Sequence, residues 1–148
     1  MATKQIKLKI ATPEKIILEE DVDSLTVPTE TGEIGILSGH VPLVSALTKG
    51  DIVATQGADV IPMAVVGGFV QVREDNEVVI LADFAEHVSE LSEDQIADAK
   101  KKAEEALSDS ERLSKEEFEF FEGQLERALV ASKIHGKWKT KKYKKISI

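Results

Sequence analysis

The side chains best suited to chemistry are few in this sequence of 148 residues. It has three histidines, His40, His87 and His135, and no cysteine. No two histidines stand four residues apart, the spacing that brings a pair of metal ligands onto one helical face. Without cysteine the chain has no disulfide, thiolate ligand or sulfur nucleophile. These features argue against a metal site.

Two candidate acid–base arrangements remain. His40 stands next to a turn that contains Pro42, but no serine nucleophile elbow accompanies it, so we interpret it as a hydrogen-bonded turn residue. Asp83 and Glu86 are three residues apart and resemble a carboxylate pair for general acid–base catalysis. Solvated acids at a domain junction explain them better. We therefore expect no active site and no catalytic residue in this chain.

The Gly67-Gly68 pair invites comparison with a phosphate-binding loop. The lysine and the serine or threonine of such a loop are missing, and the pair lies between predicted strands. Paired glycines within a strand more often mark a bulge or a close approach of two backbones. We expect them to let another chain lie against the sheet.

The elements that must position these residues follow from the hydrophobic pattern. Up to about Asp83 apolar residues alternate with polar ones, as Ile6, Leu8 and Ile10 do in the first strand. Asp75-Asn76 predicts a hairpin turn, because both residue types tolerate positive φ. The fold class expected is an all-β sandwich of about eight to ten strands over residues 1–88, followed by an α-helical hairpin.

Two helix-capping patterns predict that hairpin over residues 89–134. Ser92 is followed by Gln95 and Ser114 by Glu117, each three residues on, and Gly136 is expected to end the second helix. The apolar stripe on each helix is narrow, so the hairpin has too little core to be very stable alone. We expect it to act as an arm that can detach from the sandwich.

Charge is unevenly distributed along the chain. The net charge is -8, yet residues 135–148, HGKWKTKKYKKISI, contain six lysines and no acidic residue. With Trp138 and Tyr143 this basic tail could bind RNA, acidic lipid or an acidic protein, or it could be a disordered, solubilising extension. The acidic body makes nucleic acid an unexpected main partner. No secretory signal or membrane-spanning segment is recognised, so we expect membrane association only through a partner.

Two segments are more specific than any of these patterns. The first is TETGEIGILSGHVPL, residues 29–43, and the second combines AVVGGFVQV, residues 64–72, with VVILADFAE, residues 78–86. In order and separation they resemble the signatures of the epsilon subunit of rotary F-type ATP synthases, and the likeness extends over about residues 4–134. The resemblance implies a non-catalytic, central-stalk rotor subunit of a proton-translocating complex.

The family resemblance also implies which surfaces contact partners. A loop with Gly32, Glu33, Ile34, Gly35, His40 and Pro42 would face the membrane ring of c subunits and the shaft, and we expect Gly32 and Gly35 to bracket a reversal that exposes Glu33 and Ile34. The sheet face near Gly67, Gly68 and Phe69 would pack against the gamma shaft subunit. One copy per complex is expected, peripheral on the cytoplasmic side of a bacterial membrane; an organelle inner membrane is the weaker alternative.

The arm of this family has two states, folded on the sandwich or extended into the catalytic head, where it restrains ATP hydrolysis. The resemblance suggests contacts from Arg127 and Lys133 to the alpha and beta subunits of that head. Some relatives bind ATP through a motif that starts the first arm helix. Here Leu91 is in place, but Ser92 replaces its aspartate and Gln95 its arginine.

Glutamine cannot offer phosphate a charged fork, so we predict weak or absent ATP binding, although Lys100, Lys101 and Arg127 could partly compensate, and no other cofactor. The alternative function is a free β-sandwich module that senses a small ligand such as a nucleotide.

Overall fold

The chain forms a strand-rich domain followed by two helices. A computed structural model describes residues 4–145. The eight strands are β1 Ile6–Ala11, β2 Ile16–Val22, β3 Ser24–Thr29, β4 Gly32–Leu37, β5 Leu43–Ala46, β6 Gly50–Gln56, β7 Asp59–Val72 and β8 Glu77–His87. The predicted fold class is confirmed, with a strand count at the lower end of the expected range.

The strands make one folded sheet in the order β2-β1-β8-β7-β6-β3-β4, and β5 pairs with β7. β7 is 14 residues long and pairs with β6 through its first half and with β5 through its second. This one strand therefore belongs to both layers of the sandwich. β1 lies parallel to β8, whereas all other pairs of strands are antiparallel.

The core of the sandwich consists of aliphatic side chains that alternate along the strands. Ile6, Leu8 and Ile10 are almost completely buried, while Lys7 and Lys9 between them are exposed. Each buried aliphatic side chain of this size contributes about 1.5–3 kcal/mol. The period of two in the sequence thus reflects one face toward the core and one toward solvent.

The alternation shifts by one residue in the middle of β7. The side chains of Met63 and Val65 point into the core before the glycine pair, and that of Val70 does so after it. β8 shifts at the matching place, since Ala82 and Ala85 are both buried, so the two strands stay in register. The glycine pair lets both halves of β7 face the core.

The glycine pair makes room for β8. Gly68 has φ +110°, and a Cβ there would lie 2.7 Å from Ala82 Cα. Gly67 has φ +67°, and a Cβ there would meet the Asp83 carboxylate. The close approach that the sequence predicted is present, but the backbone that fills the space belongs to the same chain. The expectation that another chain lies against this part of the sheet stays a prediction.

The two helices are α1 Glu93–Leu107 and α2 Lys115–Trp138. Ser92 Oγ accepts a hydrogen bond from Gln95 N–H at 3.3 Å. Ser114 and Glu117 form the complete reciprocal capping box. The short segment between the helices folds them into the expected antiparallel hairpin.

α2 does not end at Gly136 as predicted but continues to Trp138. Ile134 and Trp138, on either side of the glycine, are both buried against the sandwich. A glycine inside a helix costs about 1 kcal/mol relative to alanine, which burial of these two side chains outweighs.

The hairpin contacts the sandwich through a small apolar cluster that is separate from the main core. On the arm side its buried members are Val130, Ile134 and Trp138, and on the sandwich side Ala64 and the nearby Val88. On α1 only Ala103 is buried. The arm is thus held mainly by the C-terminal half of α2.

Replacing Gly68 with alanine tests the close approach of β7 and β8. We expect Gly68→Ala to lower the free energy of unfolding by about 2 kcal/mol or more, because Cβ would collide with backbone at a positive φ. Gly35→Ala is the matched control: Gly35 has open space around its Cα, and a change within about 0.5 kcal/mol is expected. Equal urea-unfolding midpoints for the two variants would contradict this packing.

Candidate functional site

The segment from Thr29 to Gly35 forms the β3–β4 hairpin, whose reversal lies at Glu30-Thr31. Thr29 Oγ1 donates a hydrogen bond to Gly32 O at 2.5 Å, and Thr29 pairs with Gly32 across the turn. Gly35 lies within β4, opposite Thr26. Gly32 and Gly35 therefore do not bracket the reversal as predicted.

The expected docking loop is consequently two surfaces. Glu33 is exposed near the hairpin, and Ile34 beside it is half-buried and packs on the main core rather than standing free. His40 and Pro42 come after the other end of β4, whose last residue is Leu37. At about 3.3 Å per residue, Glu33 and Leu37 are separated by about 13 Å along the strand.

The turn around His40 is fixed by hydrogen bonds. His40 N–H donates to Leu37 O at 3.1 Å, and its Nδ1 lies 2.7 Å from Val41 O. Gly39 N–H donates to Asn76 Oδ1 at 2.7 Å. Asn76 has φ +58° and, with Asp75 at +62°, forms the predicted turn between β7 and β8. His40 is thus placed as a hydrogen-bonded turn residue.

An exposed apolar band crosses one outer face of the sheet, and we name it the outer stripe. Phe69 and Leu81 are direct neighbours on β7 and β8 and are 58% and 59% exposed. The paired positions on the neighbouring strands β5, β1 and β2 also carry apolar side chains, so the band continues across these strands. Besides Phe69 and Leu81, its members are Val44, Ala46, Ala11 and Ile16.

The sequence reasoning identified only Phe69 in the outer stripe. Val44, Leu81 and Ile16 are large apolar residues at outward-facing positions of predicted strands, which is the signal that could have found them. Gly67 and Gly68 lie beside the stripe as its backbone support and present no side chain to a partner.

Asp83 and Glu86 line the same surface cleft, but the charge of Asp83 is not among the causes that shift the pKa of Glu86. Asp83 is exposed beside Gly67. Burial raises the pKa of Glu86, the negative charge of Glu90 raises that pKa further, and Lys15 partly opposes the shift. The acid that influences Glu86 most is thus Glu90.

The residues of the degenerate nucleotide motif do come together. Leu91, Ser92, Gln95 and Arg127 line one cleft of about 190 Å³ between the arm and the sandwich. This volume is below the range of about 300–1,000 Å³ that is usual for small-molecule sites.

The electrostatics of this cleft do not favour a triphosphate. Ser92 Oγ is occupied by the helix cap, and the Arg127 guanidinium lies 5.3 Å from the centre of the Phe84 ring. Among the described residues that line the cleft, Arg127 is the one cation, and Glu86 and Glu90 face the same space. The prediction of weak or absent ATP binding stays a prediction.

Arg127 and Lys133 differ in how free they are. Arg127 is half-buried against Phe84, whereas Lys133 is exposed and lines a groove of about 810 Å³ along α2. Leu125 and Leu129 line the same groove. Lys133 is therefore the more accessible of the two to a partner while the arm is folded.

The part of the basic tail that the structure describes, up to residue 145, is packed on the sandwich. Trp138 is 7% exposed and Tyr143 is half-buried. The alternative of a disordered extension was therefore wrong for this part. While they are packed on the sandwich, the two aromatic side chains are unavailable for stacking on RNA bases. Residues 146–148 lie outside the described part.

Between residues 4 and 145, no His, Asp and Glu side chains form a group of three that could hold a metal ion. Over the same residues, neither helix is long and apolar enough to cross a membrane.

Comparison with known proteins gives the family. Residues 5–88 match the family model described as ATP synthase, Delta/Epsilon chain, beta-sandwich domain. The ATP synthase epsilon chain of Desulforamulus reducens is 39% identical over 105 residues, which cover 71% of this chain and 79% of the relative. That of Herpetosiphon aurantiacus is 37% identical over 129 residues, covering 87% and 93%.

Two solved structures share the fold. A chain of the Euglena gracilis mitochondrial ATP synthase, in a structure of its OSCP, F1 and c-ring, aligns with a TM-score of 0.62 at 24% identity, covering 93% of this chain and 81% of the other. A chain of the Tetrahymena thermophila central stalk and c-ring aligns at 0.56 and 17% identity, covering 90% and 99%. With the family model spanning the whole sandwich and relatives above 30% identity, this chain belongs to the epsilon-chain family of the F-type ATP synthase.

Proposed function

We propose that this chain couples the rotating shaft of an ATP synthase to its membrane ring and restrains ATP hydrolysis through its two-helix arm. The observation that carries the proposal is the outer stripe, because it is a solvent-exposed apolar band on a rigid sheet that also carries a separately attached arm. The chain itself performs no chemistry in this account.

The outer stripe is proposed to bind the gamma shaft subunit. Contiguous exposed apolar surface on a soluble domain commonly marks an interface. Phe69 and Leu81 stand side by side in paired strands, so their position is fixed before binding and little conformational entropy is lost. The His40 turn comes just before Val44 of the stripe in the sequence. It would extend the same contact with the shaft.

The hairpin end of the sandwich is proposed to face the ring of c subunits. Its exposed residues are mainly polar, namely Glu30, Thr31, Gly32 and Glu33. The ends of a membrane-embedded ring that reach water are also polar, so contacts there would be hydrogen bonds and ion pairs. The polar hairpin is thus suited to the ring and the apolar stripe to the shaft.

The arm is proposed to exchange between a folded and an extended position. In the folded position Phe120 and Leu129 of α2 remain exposed. Extension would let them, with Lys133 and a released Arg127, contact the alpha and beta subunits of the catalytic head. A difference of a few kcal/mol between the two positions is enough for regulation.

The relatives from Desulforamulus reducens and Herpetosiphon aurantiacus are bacterial, which supports a position on the cytoplasmic side of a bacterial membrane. One copy per complex and coupling to protons are part of the same proposal. The alternative function, a free nucleotide sensor, is not favoured by the small cleft with two acidic residues and one arginine.

Replacement of Phe69 by aspartate tests the shaft contact. We expect Phe69→Asp to weaken binding to the gamma subunit by about tenfold or more, since a charge would be buried in the centre of an apolar interface. Binding is measured by titrating the purified gamma subunit and by co-purification of the assembled complex.

Phe120→Asp is the matched control for that experiment, because Phe120 has the same 58% exposure but lies on the arm. It should leave the affinity for gamma unchanged. Equal affinities for the two variants would exclude the outer stripe as the shaft contact.

A further inference from the structure

The end of α2 is attached to the sandwich by a buried carboxylate. Asp51 of β6 is 6% exposed, and its Oδ2 accepts hydrogen bonds from Trp138 Nε1 and Lys137 Nζ, each at 2.9 Å. Both donors belong to the last turn of α2. Burying a carboxylate without hydrogen-bond partners costs free energy. The two donors offset this cost for Asp51 only while the arm is in place.

The chain then turns back and attaches to the sandwich a second time. Lys141 N–H donates to Trp138 O at 3.1 Å, which marks the turn. Lys144 N–H donates to Val60 O of β7 at 2.8 Å, and Lys144 Nζ donates to Gln56 Oε1 of β6 at 2.6 Å. The segment is therefore anchored on both sides of its turn.

Aromatic packing joins the two anchors. The rings of Trp138 and Tyr143 meet edge to face with centres 6.3 Å apart, and Tyr143 lies 6.3 Å from the ring of the buried His87. Trp138 and Tyr143 belong to the apolar cluster with Ala64 of the sandwich. The aromatic side chains thus bury the polar anchor at Asp51.

We propose that residues 137–145, which we name the strap, lock the arm in its folded position, so that the arm can extend only after the strap leaves the sandwich. The inference rests on the proposed two-position arm. Lys139 of the strap also forms an ion pair with Glu93 at the start of α1, at 3.4 Å, but both side chains are exposed and such pairs contribute little. Loss of the strap should therefore shift the arm toward the extended position.

Trp138 is the sole tryptophan of the chain, so its fluorescence reports on the strap directly. In the isolated full-length protein we expect Asp51→Ala and Tyr143→Ala each to shift Trp138 emission to longer wavelength and to increase its quenching by acrylamide. The ratio of docked to detached strap should fall by about tenfold or more, because each change removes a buried interaction.

The matched control is Asp98→Ala, which removes an exposed aspartate of α1 that pairs with Lys102 on the same helix. It should leave Trp138 shielded. Far-UV circular dichroism establishes that each variant is folded. If Asp51→Ala does not fold, Tyr143→Ala still tests the proposal, because Tyr143 lies outside the sandwich. If Trp138 stayed as shielded as in the original chain in folded strap variants, the proposal would be wrong.

A second readout separates the strap from the proposed function. In the assembled complex Asp51→Ala should lower ATP hydrolysis, because a free arm reaches the catalytic head more often, and Asp98→Ala should not. A Trp138 response with unchanged hydrolysis would contradict the restraining role of the arm but leave the strap established. No Trp138 response would overturn the strap whatever the hydrolysis rate.

Acid should loosen the strap through His87. This histidine is buried under Tyr143, Ser89 N–H donates to its Nδ1 at 2.9 Å, and its Nε2 has no hydrogen bond among the described residues. Burial lowers the pKa of His87, while the charge of Glu90 and the backbone of Lys144 partly oppose the shift. His87 is therefore neutral when the strap is docked at neutral pH.

Detachment exposes His87 and returns its pKa toward the ordinary value of about 6.5, so the detached state takes up a proton as the pH falls below that value. We expect quenching of Trp138 to increase between about pH 7.5 and 5.5, by at most tenfold per pH unit in the docking equilibrium. His87→Gln should show a smaller change. An identical pH response in that variant would assign it to other groups.

Discussion

The position of the arm depends on one small contact, the packing of the last turns of α2 on β6 and β7. α1 buries only Ala103, and several large apolar residues of α2 stay exposed, so the two helices cannot hold themselves in place by their own packing. The contact combines an apolar cluster with the buried Asp51 and its two donors. Everything proposed about regulation follows from how easily this contact opens.

The sandwich keeps this contact apart from the outer stripe. The arm packs near Ala64, in the half of β7 that precedes the glycine pair, and the stripe uses Phe69, in the half that follows it. A shaft bound to the stripe would therefore not compete with the arm for the same residues. A rigid body with separate surfaces suits a part that must transmit torque while another part changes position.

The sequence predicted most of the local structure, because local rules decide it. Alternation identified the strands, Ser92 and Ser114 marked the helix starts, and Asp75-Asn76 marked a turn at positive φ. The failures arose where tertiary packing prevailed over local preference. Gly136 has the chemistry of a helix end, but burial of Ile134 and Trp138 carries the helix past it.

The candidate sites were less predictable. Glycines suggested a reversal between Gly32 and Gly35, yet the Thr29 hydroxyl and the pairing of β3 with β4 place it at Glu30-Thr31. The strap could not be anticipated, since a lysine-rich segment offers no apolar period and its anchor Asp51 is 86 residues away from Lys137. Contacts at such separation become visible only in the folded chain.

The most direct test of the whole account is ATP hydrolysis by the assembled complex, measured with the full-length chain and with a chain that lacks residues 91–148. A coupling subunit with a restraining arm predicts faster hydrolysis after the deletion, while the remaining sandwich still co-purifies with the shaft. Unchanged hydrolysis would contradict the restraining arm, and loss of the shaft from the truncated sandwich would contradict the division of roles between sandwich and arm.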